Sequence, residues 1–285
     1  VANPEVALEQ PDEPEGPYFR HSRRLRLVAM KVLKYIAAFL LVCFLLPAGA
    51  SVALYLSGEH PDSWRNADWS ATGILPAPKP GDEAVIYIMS ARTGGLKGAL
   101  ASHSWILLKQ ENGAPYVRYD KVGWGSPIRR NGYPPDGRWY SNIPEIVGMV
   151  RGEKAQELIP EVEAAIAAYP YSDRGGYRIW PGPNSNTFVA TVLRDVPALG
   201  IRLPPEAVGR DYLPLTSPVS ISPDWHDIDL SLGGYAGLGI GLDTGIEVRF
   251  AGLVFGIDFL RPALKLPGFG RLGLPVVEKA SSPSA

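Results

Sequence analysis

The chain has 285 residues, a formal net charge of −1, 46% hydrophobic and 20% charged residues. That balance excludes a disordered chain, and the near-zero charge leaves no basic footprint for nucleic acid. The length fits one domain of ordinary size with appendages. The 28 prolines and 31 glycines predict many turns and short elements. Cys43 is the sole cysteine, so no internal disulfide holds the fold and the folded domain has no thiol to serve as nucleophile or metal ligand.

The first 30 residues, acidic and proline-rich at their start, read as a disordered cytoplasmic tail. An anchor over 31–57 follows. Its stretch from Tyr35 to Leu56 carries no charge, and about 22 apolar positions suffice for one helix across a bilayer core of roughly 30 Å. Arg20, Arg23, Arg24, Arg26, Lys31 and Lys34 precede it and a mixed flank follows. The positive-inside bias therefore keeps the N-terminus cytoplasmic and the rest outside the inner membrane. An uncleaved signal anchor fits better than a cleaved peptide, because the run is long, and better than a lipoprotein, because Val42 precedes Cys43. Residues 58–82, broken by Pro61, Pro76, Pro78 and Pro80, read as a linker. Its Trp64 and Trp69 could sit at the membrane surface or dock on the domain.

A main domain over 83–215 is expected next. "EAVIYIMSA" and "HSWILLKQ" read as strands, Asn112-Gly113 as a hairpin turn, and "PYVRYDKVGW" as the returning strand. After a polar loop, Leu158, Ile159, Val162, Ile166 and Tyr169 recur at helical spacing, with Pro160 suited to a first turn. A second helix carries Phe188, Val189, Val192, Leu193 and Val196 and is stopped by Pro197. Residues 216–285 read as a Gly-rich β extension with a hairpin at Asp243-Thr244-Gly245 and a basic tail. Gly237, Gly239 and Gly241 would line a face that another backbone or flat surface can approach. The fold class is α+β: a small antiparallel sheet packed by two main helices, a C-terminal β-hairpin extension and one N-terminal transmembrane helix.

Two prolines and a glycine stiffen the approach "YRIWPGPNSNTF", which delivers Ser185 to the start of the second helix. A serine there explains itself as a cap. It could also be a nucleophile whose oxyanion the unpaired N–H groups and the helix dipole would stabilise. Such a serine needs a base within reach. Of the four histidines, His103 alone begins an apolar strand of the main domain, sharing a face with Trp105 and Leu107. A residue to orient the imidazole should come from the next strand, where Tyr119 and Asp120 stand and only one can face inward; Tyr119 is the candidate. Asn184, Asn186 and Thr187 beside the serine, Trp105 beside the histidine, and Trp180 and Arg178 on the approach are candidate ligand contacts. No metal or phosphate-loop motif appears, so no cofactor is expected.

The segments "SARTGGLKGALASHSWI", "YPYSDRGGYRIWPGPNSNTFVA" and "RPALKLPGFGRLG" resemble the bacterial family called domain of unknown function 3750. His103-Ser-Trp followed by Asn184-Ser185-Asn186-Thr187-Phe188 is also similar to circularly permuted papain-like enzymes, including the lecithin retinol acyltransferase-like group. In those the histidine strand precedes the nucleophile helix, and a cysteine stands where this chain has Ser185. That resemblance implies a serine amidase or esterase acting on an envelope component, peptidoglycan peptide or lipid, or a pseudoenzyme that kept the cleft. The rival reading is a binding or assembly module that docks through its glycine-faced strands on a membrane protein or lipid surface. The lipid bilayer is a partner either way, and nucleic acid is not.

Overall fold

A computed structural model describes residues 17–124 and 128–273. The tail expected over 1–30 lies largely outside them, but from Pro17 the chain is helical, so the helix starts well before residue 31. Two units divide the chain, Val1–Val42 and Cys43–Ala285. The first contains α1 (Pro17–Leu40). The second opens with α2 (Leu46–Leu56), where Pro47 takes a first-turn position. The helical stretch Leu25–Leu56 is long and apolar enough to cross a membrane.

The α+β class is present as two antiparallel sheets. The first holds β1 (Val85–Arg92), β2 (Ser102–Lys109), β3 (Val117–Lys121), β4 (Ile128–Arg130) and β5 (Glu145–Arg151), in the order β4-β3-β2-β1-β5. Both faces of β1 and β2 are covered. Ile86, Ile88, Ile106 and Leu108 meet α3 (Gly152–Ala167) and α4 (Ser185–Asp195), while Tyr87, Met89, Trp105 and Leu107 face an aromatic cover that includes Trp139 and Tyr133. This explains why the two strands read as nearly unbroken apolar runs rather than alternating ones.

β5 pairs with β1 on the edge away from β2, directly after what the sequence presents as a polar loop. α3 begins at Gly152 and carries Pro160 in its interior. The buried row Leu158, Ile159, Val162 and Ile166 holds the helix across the proline. Residues 58–82 are no free linker. Trp69 packs on Tyr133, Trp139 and Tyr140, and Ala71 bridges Gly137.

The C-terminal hairpin, β8 (Ala236–Gly241) to β9 (Gly245–Phe250), sits inside a seven-stranded meander. Its other strands are β6 (Val219–Ile221), β7 (Asp227–Ser231), β10 (Leu253–Asp258), β11 (Ala263–Leu266) and β12 (Gly270–Gly273). The second helix of the chain packs against this unit. Ser51 Oγ donates to Ala99 O at 2.6 Å. Gly268, at φ +78°, passes so close to Ser51 that any Cβ there would collide. Phe44, two residues before α2, is buried with its ring edge-on to Phe250 at 6.1 Å.

Candidate functional site

The head of α4 is a buried knot. Asn184 is its N-cap: Oδ1 accepts from Asn186 N at 2.9 Å and Thr187 N at 3.1 Å, and Thr187 Oγ1 accepts from Asn184 N at 3.1 Å. That reciprocal pair is a capping box with Asn and Thr in the usual Ser/Thr and Glu/Gln places. Asn184 Nδ2 donates to Ile179 O and Val208 O. Asn186 Nδ2 donates to Ser102 O and Val208 O, both at 2.9 Å, and Thr187 Oγ1 donates to Gly209 O at 2.7 Å. Three of the expected ligand contacts therefore stitch the helix to β2 and to the 208–209 segment.

Ser185 is 4% exposed. Beside it stands Tyr177, a phenol the sequence did not single out. Burial raises that phenol above its ordinary value, and the neighbouring Ser185 hydroxyl and backbone N–H pull the other way.

His103 lies at the start of β2, brought near the helix head by the Asn186–Ser102 bond. It is 4% exposed and stacks on Trp139 with ring centroids 3.7 Å apart and planes 7° from parallel. Burial, then the Arg118 guanidinium, push its pKa well below the ordinary value, so the ring is neutral. Its Nε2 has no hydrogen-bond partner.

Tyr119 does not orient it. Tyr119 stands opposite Ile106 in the β2–β3 register, on the other face from His103, and its hydroxyl meets Glu163 and Arg130. The inward residues of β3 are Arg118 and Asp120, an ion pair at 2.8 Å with both side chains fully buried. Arg118 also lies 4.0 Å from the centroid of Trp105. Trp105 is sealed in the core, its Nε1 donating to Pro135 O, and Trp180 donates to Ala251 O. Arg178 is exposed on the approach.

A second locus was not anticipated. A cavity of about 430 Å³ opens between the end of β1 and the start of β2, lined by Ser90, Arg92, Ser102, Glu145, Glu206 and Arg271 among others. Three atoms on its walls are buried without partners: Arg92 Nη1, Ser102 Oγ and Glu206 Oε2. Arg92 is aimed by its other nitrogen, Nη2, which donates to Gly268 O at 2.7 Å. Glu206 is fixed from behind by its own carbonyl, which accepts from Ser102 N at 2.9 Å. Such orphaned groups are uncommon in folded proteins, where more than nine in ten are satisfied. The signal was present in two of the quoted motifs: "SARTGGLKGALASHSWI" supplies Ser90, Arg92 and Ser102, and "RPALKLPGFGRLG" supplies Arg271.

Asp224, His226 and Asp243 bring potential metal-ligand atoms within 4.8 Å of one another, all on the exposed turns of the second sheet.

Residues 83–212 match the family described as a protein of unknown function, DUF3750. Over that span the chain is similar to this family. The matched span contains the first sheet, both main helices and the α4 knot, and stops before Arg271 and the seven-stranded sheet. No curated protein and no solved structure matches the chain.

Proposed function

We propose that this DUF3750 protein is a membrane-anchored binding module, with its N-terminus cytoplasmic and its first sheet on the far side of the inner membrane. The anchor is the apolar helix of Leu25–Leu56, and its orientation follows the basic flank that precedes it. The ligand site is the cavity between β1 and β2. The observation that carries this reading is the convergence of three unpartnered buried atoms on one opening: a guanidinium N–H, a hydroxyl and a carboxylate oxygen. A guanidinium calls for an acceptor and a carboxylate for a donor. The ligand class is therefore a small zwitterion with an anionic group and an ammonium, as in a phosphoethanolamine headgroup or an amino acid.

Calorimetric titration of the full chain in detergent with phosphoethanolamine and with glycine tests this and separates the two sources. At least one should bind. Arg92→Ala and Glu206→Gln should each weaken binding about tenfold or more, since hydrogen bonds to charged groups contribute roughly 1.5–3 kcal/mol. Arg174→Ala, on an exposed loop, should leave it unchanged. Absence of binding by both, or binding insensitive to Arg92 and Glu206, overturns the assignment.

A second reading, a serine amidase or esterase of papain-like layout, is favoured by one observation: the unpartnered Nε2 of His103 near the head of α4. Against it stands the burial of Ser185, with the Tyr177 phenol beside its hydroxyl, whereas an active serine needs a base in contact. A fluorophosphonate, which modifies activated serines, should leave Ser185 unlabelled. An adduct mapped to Ser185 and absent from Ser185→Ala would reverse the order of the two readings.

A further inference from the structure

The second sheet is amphipathic the wrong way round for water. One row of side chains crosses all seven strands in register: Ile221, Ile228, Ile240, Ile246, Ile257, Leu264 and Leu272. Every one of them is 39–59% exposed. The next row repeats the pattern with Leu230, Leu238 and Val248. Six strand spacings make this apolar face about 29 Å wide, where a soluble monomer normally exposes apolar residues singly or in small patches.

The opposite face, turned into the protein, carries the charges. Glu247 accepts from Arg210 at 2.7 Å, Arg249 at 2.7 Å and Lys265 at 2.6 Å, and Arg249 also meets Asp229 at 2.5 Å. Gly237, Gly239 and Gly241 belong to this inner face, not to an open docking surface. A Cβ at Gly239 would strike the Arg249 guanidinium, so glycine is what lets the charge cluster fit against the strand. Apolar residues outward and polar residues inward along each strand is the alternation of sheets that face lipid.

The occupant of that face is indicated by the helix that touches it. Phe44 lies near the middle of the uncharged run Tyr35 to Leu56, about 18 Å along the helix from Leu56. Its ring packs against Phe250 at 6.1 Å and Phe255 at 6.3 Å, both on the strands of this sheet. Residues that touch the middle of a membrane helix share its depth. We infer that the apolar face of the seven-stranded sheet is in contact with the acyl chains of the same bilayer that holds the anchor. The sheet is thus a second, non-spanning membrane element. This inference rests on the anchor reading given above.

Single-cysteine variants of the full chain in a Cys43→Ser background test it. Leu45→Cys on the helix, Ile240→Cys on the sheet and Glu111→Cys on the exposed first hairpin would each carry an environment-sensitive fluorophore. The labelled proteins go into phosphatidylcholine vesicles with a doxyl group on the acyl chain. Quenching should remove most of the signal at Leu45 and Ile240 and leave Glu111 bright. Ile246→Cys repeats the measurement should Ile240→Cys fold poorly. A quenched Leu45 with both sheet probes bright overturns the lipid contact while the anchor stands. If cross-linking then joins sheet positions of two chains, a second copy covers the face instead. Loss of quenching at Leu45 as well sinks the anchor and the inference together.

Discussion

Glu247→Gln should be the most damaging single change in the second sheet, lowering stability by about 3–5 kcal/mol, the cost of breaking a buried ion pair from one side. The carboxylate is 1% exposed and faces Arg210, Arg249 and Lys265. Gln keeps the volume and one acceptor but leaves three cations against one another in a low-dielectric pocket. Burial alone would raise the Glu247 carboxyl; the three cations outweigh it and hold it far below its ordinary 4.5. A depressed carboxyl contributes stability above its unfolded value and loses it as pH falls toward the folded one. The wild-type advantage over Glu247→Gln should therefore be constant above about pH 5 and shrink on acidification below it. Thermal unfolding of both proteins in detergent across that range checks the sign. A difference that grows in acid would mean the carboxyl is protonated in the folded state.

Asn184→Ala should rank next, at about 2–4 kcal/mol. The lost cap contributes roughly 1 kcal/mol, and stranding buried partners adds about 1–3 kcal/mol. Alanine removes the acceptor of Asn186 N and Thr187 N together with the donor that serves Ile179 O. Asn184→Asp separates the two parts. It keeps the cap oxygen, and suits the helix dipole, but turns a carboxylate toward the carbonyls of Ile179 and Val208. Thermal melts should place Asn184→Asp between wild type and Asn184→Ala. Should both melt like wild type, the knot at the helix head is decoration, and Asn184 regains its place as a ligand contact.

The first sheet was legible because its strands obey local rules. Val85–Arg92 is rich in β-branched and aromatic residues, Ser102–Lys109 carries an apolar run, and Asn112-Gly113 turns the second strand back into β3. β5 was missed because Glu145–Arg151 is an edge strand next to a polar loop, and its partner β1 lies more than fifty residues upstream. α3 was read too short because Pro160 suggests a start, while tertiary burial of Leu158 and Ile159 decides otherwise. The helix head was legible as a place but not as a role. A cap and a nucleophile demand the same kinds of residue at the same place, and only the structure shows that Asn184 is the N-cap and Ser185 the first residue of the helix. The second sheet misled for a different reason. Alternation shows which residues share a face, not which face meets the protein, and here the apolar set is turned away from it.

The close approach of Gly268 to Ser51, and the bond from Ser51 to Ala99, deny the protein a slack leash. Arg92 reaches the carbonyl of Gly268, so one wall of the cavity is keyed to α2. On the proposed anchor reading the mouth is held at a fixed depth near the outer headgroups, because Ser51 lies inside the uncharged run. A ligand carried in the leaflet would then find it by lateral search in two dimensions, and one dissolved in the outer space would have to descend to it. Lengthening the chain just after Leu56 would leave that depth unchanged, because contacts made before Leu56 set it.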